Sequence, residues 1–144
     1  MTFKRVLVGA VAALALCPAM AHAAPDPALG KEVLMRSIAF RTVEGGGQAP
    51  ALAAYYGSVL RAAGFADADI VITPMEGTAT FAATIPGSDP TLKPLLMLGH
   101  MDVVEAKRED WTRDPFVPVE ENGYVFGRGS EDNKYDVAMM VTVL

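Results

Sequence analysis

Four consecutive apolar residues, Leu95 to Leu98, run directly into Gly99, His100 and, two positions on, Asp102. A short unbroken apolar run of this kind predicts a strand buried on both faces, as in a sheet covered by helices. Such sheets gather their ligand chemistry just beyond the carboxyl ends of the strands. His100 and Asp102 fall there, and in an extended backbone residues i and i+2 face the same side. The run therefore predicts an α/β domain with a polar site at the end of a central strand.

The rest of the chain supplies elements to surround that strand. A helical spacing begins at Leu29, with Val33, Leu34, Ile38 and Phe40 as its apolar positions, and breaks at Glu44-Gly-Gly-Gly47. A second helix is predicted from Pro50 to Ala63, with Leu52, Tyr55, Tyr56, Val59 and Leu60 along one face and Gly64 at its carboxyl cap. The two tyrosines read as core packing. Ile70–Thr73 and Ala79–Ile85 read as strands, and Pro86 to Pro90 as the turn before the central run. A charged loop from Glu105 to Pro118 carries the lone tryptophan, Trp111, which either walls a pocket or packs the loop onto the domain. Tyr124–Phe126 reads as a short strand. Val137, Met140, Val141 and Leu144 then follow helical spacing i, i+3, i+4, i+7. The sequence ends at Leu144 inside that pattern with no capping glycine, so a longer protein is expected.

The amino terminus reads as a signal for export. Lys4-Arg5, the apolar run Val6 to Leu16 and the small-x-small triplet Ala21-His-Ala23 form a secretory signal peptide over 1–23, cleaved after Ala23. The run falls short of the roughly 20 residues a membrane span needs, so no stable membrane anchor is expected. Leu16 is too bulky for a lipoprotein signal at Cys17. The expected product, 24–144, is exported to the periplasm or secreted, with Ala24-Pro-Asp-Pro27 as a loose start. Cleavage removes Lys4 and Arg5 and no acid, leaving ten basic against seventeen acidic residues, a balance of −7. That balance excludes nucleic acid, whose binding rests on neutralising phosphates with Lys and Arg. Cleavage also removes the only cysteine, excluding a disulfide framework and thiol chemistry, and leaves His100 as the only histidine.

One histidine and two aspartates on separate turns, His100, Asp102 and Asp132, bring one nitrogen and two carboxylates, a ligand set for zinc and its neighbours. Spacing alone leaves open whether His100 and Asp132 are ligands or hydrogen-bonded structural residues. Gly127 and Gly129, two apart before a helix, also suit an anion-binding nest, although the spacing fits neither a dinucleotide fingerprint nor a Walker loop.

Leu98-Gly-His-Met-Asp-Val-Val104, followed by Gly127-Arg-Gly-Ser-Glu-Asp-Asn-Lys134, resembles the paired signature of the M20 family of zinc metallopeptidases, the group of glutamate carboxypeptidase, aminoacylase-1 and succinyl-diaminopimelate desuccinylase. Asp110-Trp-Thr-Arg-Asp-Pro-Phe116 resembles the family's W-x-x-x-P-F segment, and the resemblance spans about residues 28 to 144. It implies the front part of a mixed-sheet, helix-flanked catalytic domain over 24–144. It implies a site for two divalent metals, zinc with cobalt or manganese as alternatives. In that site His100 binds one metal, Asp132 bridges both, and Asp102 is a catalytic-site residue that orients the site through His100 or the base. A cis Asp132–Asn133 peptide is also implied. Asn133 stands where the family often has aspartate or methionine. The implied reaction is hydrolysis of a peptide or N-acyl amino acid amide bond by metal-activated water, and the resemblance makes a homodimer the expectation for the full-length protein.

The family's glutamate base and its remaining ligands lie beyond the bridging aspartate, and Glu131, which precedes it, does not match the base. Residues 1–144 alone are therefore expected to be inactive. The competing readings are a non-catalytic remnant or binding module that keeps the front half of the fold, and a secreted α/β domain in which His100 and Asp132 are structural. Amino-terminal sequencing of the native exported protein is expected to begin at Ala24; a product that retains Lys4 and Arg5 overturns the signal-peptide reading.

Overall fold

The computed structural model describes residues 25–143. The expected signal peptide over 1–23, its expected cleavage site and the apolar position Leu144 lie outside the described residues. Three helices and two antiparallel hairpins make up an α/β arrangement. No helix among the described residues is long and apolar enough to cross a membrane.

The first helix, α1 (Pro27–Ala39), starts two residues before the apolar spacing does. Asp26 caps it by accepting a hydrogen bond from the Ala28 N–H at 2.9 Å, and Pro27 takes the first helical turn. Both are standard helix-start chemistry. The segment expected to be a loose start is thus part of the helix entry. Val33, Leu34, Ser37 and Ile38 form its buried face, and Ser37 returns its hydroxyl to the Val33 carbonyl at 2.6 Å. The second helix, α2 (Ala49–Ala62), buries Leu52, Ala53, Tyr56 and Leu60, with Tyr55 and Val59 packed at the edge of the core. Gly64 follows at φ +97°, the left-handed conformation that suits a glycine beyond a helix end.

Strands β1 (Ile70–Met75) and β2 (Thr78–Ala83) pair antiparallel, with Met75 opposite Thr78 across Glu76-Gly77. The backbone of α2 approaches this hairpin at Gly57, where an added Cβ would stand 3.4 Å from Ile72 and 3.5 Å from Ile70. Val33, Leu34 and Ile38 of α1, Leu52, Tyr56 and Leu60 of α2, and Ile70 of β1 meet Val137, Ala138 and Val141 of α3 (Lys134–Val143) in one core. Burial pushes the Tyr56 phenol up to about 12.

The central run corrects the sequence reading. Leu95–Leu98 forms no strand among the described residues; Leu95 is 88% exposed and Leu98 78%. A strand is buried only when neighbouring strands take its backbone hydrogen bonds and layers cover both faces. The hairpins here are β1–β2 and β3–β4, where β3 is Val119–Glu121 and β4 Tyr124–Phe126, and neither pairs with the run. Only its carboxyl end is fixed. There an added Cβ on Gly99 would lie 2.8 Å from both Asn133 and Val137.

The loop Glu105–Pro118 packs onto the domain, which decides between the two readings of Trp111. The Arg128 guanidinium lies 5.3 Å from the Trp111 ring centroid, and the Arg128 N–H donates to the Pro115 carbonyl at 2.7 Å. Gly127 and Gly129 have packing reasons of their own. An added Cβ at Gly127 would meet Ile38 at 2.5 Å, and one at Gly129, whose φ is +80°, would meet Val103 at 2.7 Å. Gly127→Ala is expected to destabilise the protein by about 1–3 kcal/mol through overpacking against Ile38. Gly87→Ala, where an added Cβ meets nothing within 4 Å, is expected to stay within about 0.5 kcal/mol of the parent. Urea denaturation of the two variants checks this, and equal midpoints would refute the close approach.

Candidate functional site

His100 follows the Leu95–Leu98 run, and its backbone N–H donates to the Asn133 side-chain oxygen at 3.0 Å. Asn133 belongs to the turn that leads from Gly127 into α3, and its amide nitrogen donates to Asp136 in the first turn of that helix. Asn133 thus joins two segments that are 33 residues apart. The Asp132–Asn133 peptide is cis.

The imidazole of His100 stands between two aspartates. Nδ1 lies 3.1 Å from the Asp102 carbonyl oxygen and 3.3 Å from Asp102 Oδ1, while Nε2 lies 3.0 Å from Asp132 Oδ1. All three residues flagged by the sequence therefore converge on one ring. They line an open cleft of about 290 Å³ together with Gly127, Arg128, Gly129 and Glu131. The site is open to water: the side chains are 51% exposed for His100, 72% for Asp102 and 86% for Asp132.

Proton bookkeeping constrains what this ring does. Both Asp102 oxygens are acceptors, so Nδ1 carries the hydrogen. In the neutral imidazole Nε2 then presents a lone pair to a carboxylate, and two acceptors at 3.0 Å repel unless a proton or a cation stands between them. The protonated form answers this in the apo chain. Burial, the largest single influence, pulls the imidazole down. The Asp102 carbonyl and the Asp132 and Asp102 carboxylates together outweigh it and hold the pKa above the usual 6.5.

The same two atoms fit a metal ion. A tetrahedral ion with bonds of about 2.0–2.1 Å keeps its ligand atoms roughly 3.4 Å apart, close to the 3.0 Å between Nε2 and Oδ1. The Nδ1–Asp102 contact is the kind of outer partner that fixes the tautomer of a ligating histidine. Among the described residues no group of three or more His, Cys, Asp or Glu is arranged to hold a metal ion. The pair His100 and Asp132, with Asp102 behind the ring, is what these residues bring to such a site.

Three supporting residues escaped sequence reasoning. Lys134 is fully buried, and its ammonium donates to the carbonyls of Ser37 at 2.8 Å and Phe40 at 2.6 Å. Burial lowers its pKa to about 8, leaving it charged at neutral pH. Thr42 donates its hydroxyl to the Met101 carbonyl at 2.6 Å. Asn133 carries the bridge to His100. Nothing in the sequence marks Lys134 as buried, since lysine is among the residues least often enclosed. For Asn133, its place directly after Asp132 was the available signal.

Known proteins are similar to this chain over the segment that carries the three residues. Peptidase family M20/M25/M40 matches residues 96–144. The N-fatty-acyl-amino acid synthase/hydrolase PM20D1 of Mus musculus is 46% identical over 61 residues, covering 42% of this chain and 12% of that protein. Aminoacylase-1 of Homo sapiens is 33% identical over 95 residues, 65% of this chain and 23% of that protein. Succinyl-diaminopimelate desuccinylase of Buchnera aphidicola is 51% identical over 53 residues, 36% of this chain and 14% of that protein. The aligned region thus spans less than a quarter of each of these relatives. Over residues 96–144, which hold His100, Asp102 and Asp132, this chain is similar to peptidase family M20/M25/M40.

Proposed function

We propose that this chain is the amino-terminal part of an exported, metal-dependent hydrolase that cleaves the amide bond of a small peptide or an N-acyl amino acid. The observation that carries the reading is the convergence of His100 Nε2 and Asp132 Oδ1 at 3.0 Å, with Asp102 holding the far side of the ring. The names of the matched relatives, a fatty-acyl-amino acid hydrolase, an aminoacylase and a desuccinylase, support amide hydrolysis of an acylated amino compound.

His100 and Asp132 would hold the metal. The ligand types suit two divalent ions of the zinc, cobalt or manganese group, with Asp132 able to offer one oxygen to each. Bound there, such ions supply Lewis-acid polarisation of a carbonyl and activation of water near neutral pH. Asp102 accepts the Nδ1 hydrogen and so would leave the Nε2 lone pair available to such an ion. The cleft beside Arg128 and Glu131 leaves the pair open to substrate. The full-length protein is proposed to act as a homodimer, in the periplasm or outside the cell.

Titrating the metal-free protein with Co²⁺ is expected to give binding that His100→Ala and Asp132→Ala each weaken by at least the roughly 10–100-fold that losing a supporting residue costs. Unchanged binding in both variants leaves the two residues structural. Binding without hydrolysis of N-acyl amino acids by the native exported protein favours a binding module.

The raised pKa of His100 sets the pH dependence. In the metal-free chain, the stabilisation from the charged ring is present below 6.5 and is lost as pH rises through the folded value. Metal binding runs the other way, because the protonated ring cannot ligate, so affinity is full above the folded pKa and falls as pH drops through it. An NMR titration of metal-free protein is expected to place His100 above 6.5 and Asp132→Asn to lower it. A His100 pKa that ignores Asp132→Asn refutes the contact.

A further inference from the structure

The two site segments do not hold each other by their charged side chains, which are largely in water. They are held from behind by one short stretch, Ser37 to Thr42, at the carboxyl end of α1 and just past it. On one side the Thr42 hydroxyl donates to the Met101 carbonyl, and the Val103 N–H donates to the Thr42 carbonyl at 3.1 Å. These two bonds flank Asp102 and begin one residue after His100. On the other side the Lys134 ammonium donates to the carbonyls of Ser37 and Phe40, two residues after Asp132. Carbonyls at the carboxyl end of a helix carry partial negative charge, which favours an ammonium there, and those of Ser37 and Phe40 accept it beside one backbone N–H each.

We propose that Thr42 and Lys134 are positioning residues, and that Ser37–Thr42 is the common support that sets the placement of His100 relative to Asp132. The inference rests on the metal-site reading only for its consequence, metal affinity. The support itself is a property of the metal-free chain. Gly129 belongs to the same junction, since its missing Cβ leaves room for Val103 at 2.7 Å and for the Lys134 stem at 3.3 Å.

Thr42→Val removes the hydroxyl, keeps the shape, and leaves intact the backbone carbonyl that Val103 uses. Thr42→Ser restores the hydroxyl. Hydrogen exchange of the His100 and Val103 amides is read in the metal-free protein, and Co²⁺ affinity in the same preparations. The Thr42→Val variant is expected to speed exchange at both amides by about tenfold and to weaken Co²⁺ binding by roughly 10–100-fold, with Thr42→Ser within twofold of the parent. Lys134→Met is expected to shift both readouts further. Should it fail to fold, the threonine pair alone decides. Wild-type exchange or wild-type Co²⁺ affinity in Thr42→Val overturns the proposal, as does a Thr42→Ser variant that fails to rescue. If the parent itself binds no Co²⁺, the metal reading falls, and exchange at the two amides still decides whether the support exists.

Discussion

The ammonium of Lys134 is the contact that relates the site to the core. Enclosing a lone charge costs several kcal/mol unless polar groups replace the lost water. Here the Ser37 and Phe40 carbonyls do so, at the carboxyl end of α1, where each also accepts one backbone N–H. The contact fixes α1 and α3 at their junction, and α3 begins at this lysine. The side chain is fully buried yet charged, so it can sit only where α1 ends. That makes the direction of the turn from Gly127 to Asn133 a consequence of α1's length.

Close approach does the rest. Gly127 lets the turn lie against Ile38 at the carboxyl end of α1's buried face, and Gly129 lets it lie against Val103. A side chain at either position would push the Asp132 segment outward, away from His100. Read as a pair two apart, the glycines suggest an anion nest; in the fold their spacing is set by the two hydrocarbon side chains they admit.

What the sequence made legible follows from how local each signal is. The helices α1 and α2, the glycine past α2 and the two strands β1 and β2 are each specified within a dozen or so residues by periodicity and turn chemistry, and they form where expected to within two residues at each end. α1 starts ahead of its apolar spacing, at Asp26-Pro27, because a capping aspartate followed by proline is itself a start signal that hydrophobic periodicity does not register. The Leu95–Leu98 run shows the opposite failure. Its composition suits burial, but burial of a strand is a long-range property, and no strand among the described residues pairs with it. In the site, His100, Asp102 and Asp132 were legible as residue types and do come together. The residues that bring them together, Thr42, Asn133 and Lys134, act across sequence separations of 33 to 97 residues, which spacing within a motif does not encode.

The exposure of the three site residues argues for what the arrangement does. Ion pairs between groups this open to water contribute little to stability, since water and salt compete for both partners. The core of α1, α2, α3 and β1 would persist without them. Yet the turn that carries Asp132 is tied down by a buried lysine, a bridging asparagine and two glycines in near-contact with the core. A rigid support beneath side chains that add little to the fold is the pattern of a site that must hold geometry for something outside the chain. A carboxylate and an imidazole lone pair held 3.0 Å apart need a positive charge between them: a proton supplies it below the folded pKa of His100, and in the proposed reading a divalent cation would supply it above that value.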